Sequence, residues 1–421
     1  MHLAAAIAFI GFLIFLAHLF AGIFQRTRIP DVLWLLLIGI LLGPVFHLLT
    51  PGQLGVVGPA FTTITLILIL FESGLNLRFA RLRTALPGTL ALSICSFILV
   101  TLLVAGAAWL WTPLGAWGAV LLGLMLAGNS PTVVVPLTAG LGLESKTQDI
   151  LFLESALGDV LSIVAALALM DFRSHGLSHW AVTGRNFLLG FGLALVLGAL
   201  AAFFWSLALN RMRRMENAIF TTPAFVFILY GGSELLHLNG AMAALAFGIV
   251  LGNLDRQKPL LVSGVVPIVG LNETERIFFA EIIFLLKTFF FVYIGLSVEF
   301  THPAWVAMGL VFSGVILLAR IPAVRLTLAR RLPAFDAEHA AAMIPKGLAA
   351  AVLASIMLQQ HVHNAGLLQN VTYSVILFSI ILTSILVFIL SRAAARRGMG
   401  WLIGARSETK DELPISDDAG Q

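Results

Sequence analysis

The chain has 421 residues, 59% of them hydrophobic and only 11% charged, with a mean hydropathy of +1.00. A water-soluble domain carries roughly 25% charged residues, so the composition excludes an ordinary soluble fold and leaves room for about a dozen spans of roughly 20 residues. The net charge of +4 comes from basic residues scattered among loops, which orient a membrane protein and argue against a nucleic-acid partner. The single cysteine, Cys95, lies in an apolar run and excludes a disulfide framework or a Cys-based metal site.

Apolar windows punctuated by short polar or Pro/Gly stretches predict thirteen spans, at 3–24, 31–49, 60–77, 86–111, 115–141, 147–171, 185–209, 217–235, 237–254, 276–298, 303–329, 338–360 and 367–391. The first lacks a basic leading region and is long enough to cross a bilayer, so it reads as a span rather than a removable leader. The stretch 255–275 is read as a loop or a partial helix. Residues 396–421 are expected to form a cytoplasmic tail, disordered from Ser407 onward by its polar, acidic composition.

Basic residues alternate with the windows. Arg26 and Arg28, then Arg78, Arg81 and Arg83, then Lys146, follow windows 1, 3 and 5. Arg211, Arg213 and Arg214, then Arg256 and Lys258, then Arg330 and Arg331, follow windows 7, 9 and 11, and Arg392, Arg396 and Arg397 follow the last. The alternate loops are nearly bare, with Arg173 and Arg185 after window 6. By the positive-inside rule the N-terminus lies outside and the C-terminus in the cytoplasm of a cell (inner) membrane.

The chain also resembles itself. Leu70-Phe71-Glu72-Ser73-Gly74-Leu75-Asn76-Leu77 closes window 3, and Phe291-Val292-Tyr293-Ile294-Gly295-Leu296-Ser297-Val298 closes window 10. Pro131 follows the first copy in window 5 and Pro345 the second in window 12. An offset of seven windows makes the copies enter the membrane from opposite sides, as in inverted-repeat transporters.

Ionisable groups near the bilayer centre are costly and need a partner or a function. At 1.5 Å per residue, Asp159 in window 6 lies roughly 18 Å deep and Lys287 in window 10 roughly 16 Å deep, near the middle of a core roughly 30 Å thick. Lys346 and Ser130 fall at the same level. Two windows are interrupted there, by Gly128-Asn129-Ser130-Pro131-Thr132 and by Ile344-Pro345-Lys346-Gly347. Proline removes a backbone donor and glycine allows unwinding, and such breaks are tolerated in lipid only around a cavity or within protein. Two of them at matched repeat positions point to a binding site between them. Glu154 and Asp159, five positions apart, project about 140° from each other on a straight helix. One is then expected to be the titrating ligand and the other a structural partner for a lysine. No zinc-ligand spacing, phosphate-cradling glycine loop or catalytic triad is recognisable, so neither a cofactor, ATP drive nor an enzyme is expected.

With these residues on the page, the chain resembles the monovalent cation:proton antiporters, the sodium/hydrogen exchanger superfamily, over roughly residues 1–395. The most specific element is Leu153-Glu154-Ser155-Ala156-Leu157-Gly158-Asp159, similar to the family's Glu-Ser-x-x-Asn-Asp pattern. The resemblance assigns the ion and proton ligand to Asp159, a lining role to Ser155, and a Glu154–Lys346 charge pair; Lys287 is similar to a basic residue of the corresponding family helix. Gly158 and Asn129-Ser130-Pro131 depart from the family's Asn-Asp and Thr-Asp-Pro, which leans toward one-for-one exchange.

The fold expected is therefore an all-α polytopic membrane protein with about thirteen transmembrane helices, inverted repeats and two broken crossing helices, sodium/proton antiporter-like. Residues 86–171 and 303–391 would form a core bundle moving against a scaffold that holds a homodimer interface. The function expected is secondary antiport of Na⁺ or K⁺ against H⁺ by alternating access. Asp159 is the ligand for the transported cation, Asn129, Ser130, Thr132 and Ser155 the polar groups around it, and Glu72 a possible secondary acid. The rival expectation is a proton-uncoupled channel or membrane sensor that keeps the fold.

Overall fold

The computed structural model describes residues 11–20, 22, 30–51, 59–174, 180–213, 218–254, 260–262, 266–268, 270–298 and 303–391. The tail at 396–421 and the basic residues Arg26, Arg28, Arg214, Arg256, Lys258 and Arg392 onward lie outside them.

All thirteen windows carry helix. In chain order these are α1 (Gly11–Phe20), α2 (Asp31–Ile40), α3 (Pro59–Asn76), α4 (Phe79–Trp111), α5 (Gly115–Met125), α6 (Pro131–Ala139), α7 (Ser145–Ser174) and α8 (Trp180–Met212). Then follow α9 (Thr221–Leu235), α10 (Gly240–Asn253), α11 (Glu273–Ser297), α12 (Pro303–Thr327), α13 (Ala334–Ala342), α14 (Leu348–Gln359) and α15 (Ala365–Leu390). Six described helices are each long and apolar enough to cross a membrane unaided. Windows 5 and 12 are split into the half-helices α5/α6 and α13/α14. The stretch read as a loop or partial helix holds instead a small antiparallel ladder, Leu260–Val262 against Val266–Ile268.

Local chemistry sets several of these limits. Pro44 has no N–H to donate, and α2 runs into a wider turn at Leu41–Val45 in which Phe46 N–H reaches back five residues to Leu41 O. α11 opens on a capping box, in which Asn272 Oδ1 accepts from Glu275 N–H at 2.7 Å and Glu275 Oε2 accepts from Asn272 N–H at 2.8 Å. Pro131 begins α6 at the first helical position, where a missing N–H costs nothing.

The helices pack in two groups. In one, α2 lies on α11 and α10 on α3, α8 and α9; in the other, α4, α5, α6 and α7 pack with α12, α13, α14 and α15. The groups meet where α7 and α14 touch α3, and where α11 touches α14 and α15. The repeat seen in the sequence recurs as a pair of close crossings. A Cβ at Gly74 on α3 would collide with the backbone of Leu245 and Ile249 on α10, and one at Gly295 on α11 would collide with the backbone of Leu36 and Gly39 on α2. Counting windows, 3 against 9 and 10 against 2 are images of each other under the seven-window offset. Small residues that let backbones touch are the usual means of helix association in lipid, where no hydrophobic force separates helix from solvent.

Candidate functional site

The two breaks cross. Ser130 N–H donates to Pro345 O at 2.8 Å, so one interrupted segment satisfies the other directly. Two freed donors of the second break are taken up by α15, where Ser379 Oγ accepts from Lys346 N–H at 3.0 Å and Thr383 Oγ1 from Ile344 N–H at 3.4 Å. The crossing is tight at Gly347, where a Cβ would fall on the Ser130 side chain. Backbone polar groups unpaired in hydrocarbon cost several kcal/mol each, and this mutual satisfaction is what lets two helices stop halfway through the bundle.

A buried polar chain runs through the crossing. Lys346, fully buried, donates from Nζ to Gly128 O at 2.9 Å and to Asn129 Oδ1 at 2.8 Å. Gly128 lies three residues past the end of the α5 half-helix, in the break itself, so its carbonyl is one of the backbone acceptors that the break frees. The Asn129 amide in turn donates to Glu154 Oε1 at 3.2 Å and to Met343 O at 3.4 Å. Glu154 ends the chain in a two-pronged ion pair, Arg320 Nη1 to Oε1 at 2.9 Å and Nη2 to Oε2 at 3.2 Å. Arg320 is itself fully buried, and its remaining donors go to Ser96 Oγ and Ala340 O, both at 3.1 Å.

The expected Glu154–Lys346 pair is close enough to interact by charge but is not a direct contact. The ion-pair partner of Glu154 is Arg320 on α12, and Asn129 stands between the glutamate and Lys346. A planar guanidinium matches both carboxylate oxygens at once, which a single ammonium does not. Lys287 is not drawn into the site either. The acid close enough to feel its charge is Asp31 at the start of α2, and Lys287 is not among the charged neighbours of Asp159.

Asp159 is the fifteenth residue of the thirty in α7, at mid-length, and is 7% exposed. Among the described residues its carboxylate accepts no hydrogen bond and forms no ion pair. Lys346, Glu154 and Glu72 are the charged groups near enough to act on it; Glu72 is half-buried on α3. The break lies directly against its backbone, for a Cβ on Gly128 would meet Gly158 O at 2.8 Å and Asp159 N at 3.0 Å. A Cβ on Gly158 would in turn press on Gly128 Cα at 3.3 Å, which gives a steric reason for glycine before the aspartate. Ser130 and Ser155 are buried, and their hydroxyls bond Thr132 Oγ1 and Phe152 O, each at 2.9 Å. Each hydroxyl retains acceptor capacity.

A cavity of about 740 Å³ opens where α7 and α14 end and α3 and α10 begin, lined in part by Asp171, Tyr230, Glu234, His237, Gln359 and Gln360. Met170 on its wall is eleven residues beyond Asp159, which places it about 20° around the helix and roughly 16 Å along it. Ser162, one turn past Asp159, and Thr65 on α3 are buried hydroxyls without a hydrogen-bond partner among the described residues.

The profile of the family described as "Sodium/hydrogen exchanger, transmembrane" matches residues 12–393. The chain belongs to the sodium/hydrogen exchanger family. Among curated proteins it is similar to Na(+)/H(+) antiporter 1 of Methanocaldococcus jannaschii, 25% identical over 333 residues that make up 76% of this chain and 75% of that one. It is also similar to probable Na(+)/H(+) antiporter 2 of the same organism, 23% identical over 379 residues, or 82% of this chain and 85% of that one. The solved structure of the sodium proton antiporter MjNhaP1 from that organism superposes with a TM-score of 0.72 at 22% identity, covering 96% of this chain and 99% of that one, and shows the same fold. This exchanger is accordingly a multi-pass membrane protein, and its relatives are transporters rather than enzymes. Arg320 lies inside window 11 and was not among the residues that the sequence singled out. The signal that would have found it is its position two residues before Pro322, seven residues inside the end of α12.

Proposed function

We propose that this exchanger carries Na⁺ or K⁺ against H⁺ across the cell (inner) membrane, with Asp159 as the shared ligand. The observation that carries the reading is a buried carboxylate at mid-length of α7, seated against the break at Gly128 and without a hydrogen bond or ion pair among the described residues. A desolvated carboxylate in that position needs a counter-charge, and either a proton or a small cation supplies one.

The geometry supports the following cycle. Asp159 holds the cation together with Ser130, Ser155, Thr132 and the freed backbone carbonyls near Asn129. Lys346 stays bonded to Gly128 and Asn129 and balances the bare carboxylate, while Glu154 and Arg320 hold the crossing rigid. With Asp159 ionised, the four buried charges Asp159, Glu154, Lys346 and Arg320 sum to zero; with a proton or a monovalent cation aboard they sum to plus one. The two loaded forms are electrically equivalent, which favours one-for-one exchange. The group of α4–α7 and α12–α15 moves against the other as a core against a scaffold, and the cavity at the ends of α7 and α14 serves as the outward vestibule in a chain with its N-terminus outside and its C-terminus in the cytoplasm. The scaffold holds a homodimer contact.

The test is proteoliposomes loaded with a pH-sensitive dye and acid inside. Addition of Na⁺ or K⁺ collapses the pH gradient with the wild-type chain and does nothing with Asp159→Asn. An Asp159→Asn protein exchanging at the wild-type rate refutes the assignment, and cation flux that ignores an opposing proton gradient favours a channel that has kept the fold.

A further inference from the structure

The last residue of α14 reaches across the seam between the two helix groups. Gln359 Nε2 donates to Thr62 Oγ1, in the first turn of α3, at 3.0 Å. Thr62 is fully buried, and Gln359 is half-buried on the wall of the cavity at the ends of α7 and α14. One turn back along the same helix, Ser355 shares a hydrogen bond with the Tyr373 hydroxyl on α15 at 2.8 Å, and Gln369 Nε2 donates to that hydroxyl at 3.1 Å. α14 therefore carries two polar tethers. The Ser355–Tyr373 tether lies wholly within the group of α4–α7 and α12–α15, whereas Gln359–Thr62 joins that group to the other.

The groups are already joined at the other end of α3. There α3 runs into α4 through Leu77 and Arg78 alone, and Phe79 N–H, at the start of α4, donates to Asn253 Oδ1 of α10 at 2.6 Å. Thr62 lies fourteen residues before Asn76, roughly 21 Å along the helix. Motion of one group about the covalent end is therefore smallest there and largest at Thr62, where a turn of a few degrees takes the donor out of hydrogen-bond range. α14 begins directly after the second break, at Lys346-Gly347, so a movement of the crossing carries Gln359 with it.

We propose that the Gln359–Thr62 hydrogen bond is a latch, which holds the two groups in the arrangement seen here and is made and broken once in each transport cycle. The inference rests on the core-against-scaffold movement in the function proposed above, and is independent of which residue holds the ion. A side-chain hydrogen bond of this kind shifts an equilibrium by about two- to tenfold. Neither partner belongs to the ion site, so the latch sets the balance between the two orientations and leaves the intrinsic affinity of the site alone. Weakening it changes the fraction of molecules competent to bind from each face, and apparent affinity scales with that fraction.

The experiment uses the full chain in membrane vesicles of known sidedness, with Cys95→Ala throughout. Gln359→Leu and Thr62→Val each remove one partner. Each is expected to move the cation KM measured from the two faces in opposite directions, by up to about tenfold, and the double variant no further than either single. KM values that shift together on both faces, or not at all, overturn the proposal, as does additivity of the two substitutions. A second measurement bridges Thr62→Cys to Gln359→Cys with a short bifunctional methanethiosulfonate. Bridging is expected to stop exchange and reduction with dithiothreitol to restore it, whereas Ile356→Cys bridged to Gln360→Cys, both on the cavity wall within α14, leaves exchange running. A bridged Thr62→Cys/Gln359→Cys protein that exchanges at the rate of its reduced form overturns the latch. The assignment of Asp159 stands or falls separately, on whether Asp159→Asn is silent in the same vesicles.

Discussion

Replacing Arg320 by methionine removes four buried hydrogen bonds, two to Glu154 and one each to Ser96 and Ala340. It leaves the Glu154 carboxylate buried with only the Asn129 amide beside it. Stripping one partner from a buried ion pair costs about 3–5 kcal/mol, most of it from the charge left behind. Removing both charges, as in Arg320→Met/Glu154→Leu, is expected to be far milder than the sum of the singles, with a coupling of about 2–3 kcal/mol. The same cycle between Lys346→Met and Glu154→Leu should give under about 1 kcal/mol, because Asn129 separates the two groups. Reversible unfolding by SDS in mixed micelles, followed by tryptophan fluorescence, measures all of these. Additive Arg320 and Glu154 effects, or a larger coupling to Lys346 than to Arg320, would show that the ion pair has been assigned to the wrong cation.

Further expectations follow from the crossing and the cavity. Gly347→Ala places a methyl on the Ser130 side chain and should destabilise by about 1–3 kcal/mol as overpacking does, and Ser130→Gly in the same molecule should recover part of the loss in the same unfolding assay; a Gly347→Ala protein of unchanged stability would mean the breaks are less tightly seated than described. Met170→Cys in a Cys95→Ala background should react with a membrane-impermeant thiol reagent added from outside intact cells and not from the cytoplasmic face of inverted vesicles, since it lines the cavity read as the outward vestibule. The opposite sidedness would reverse the orientation proposed for the chain.

Much of this was legible before any coordinates. Hydropathy windows place helices because lipid forces each span to satisfy its own backbone, and all thirteen windows hold one. Pro131 and Pro345 marked the breaks because proline and glycine act locally, through covalent geometry. Asp159 stood out because an acid at the middle of an apolar window is costly there and needs a partner or a function. What failed was pairing. Arg320 and Glu154 are 166 positions apart, and no local pattern says which cation folds back on which acid; depth alone made Lys346 and Lys287 look equally suitable. Depth is one coordinate of three, and Lys287 shares the level of the site while belonging to the α2/α11 layer. Gly158 was legible as a departure from its family, but its cause, the backbone of Gly128 pressed against it, appears only when the break is folded onto α7.

The central claim is that a proton and a metal ion take turns on one acidic side chain, and the pH dependence of cation affinity tests it most directly. Uptake of labelled cation into proteoliposomes, measured at saturating and sub-saturating concentrations over a series of external pH values, separates KM from the maximal rate. Competition for Asp159 predicts that over the acidic part of the series KM rises tenfold for each unit by which pH falls, with the maximal rate attained at sufficient cation unchanged. A KM indifferent to pH across that range, with protons altering only the maximal rate, would contradict it.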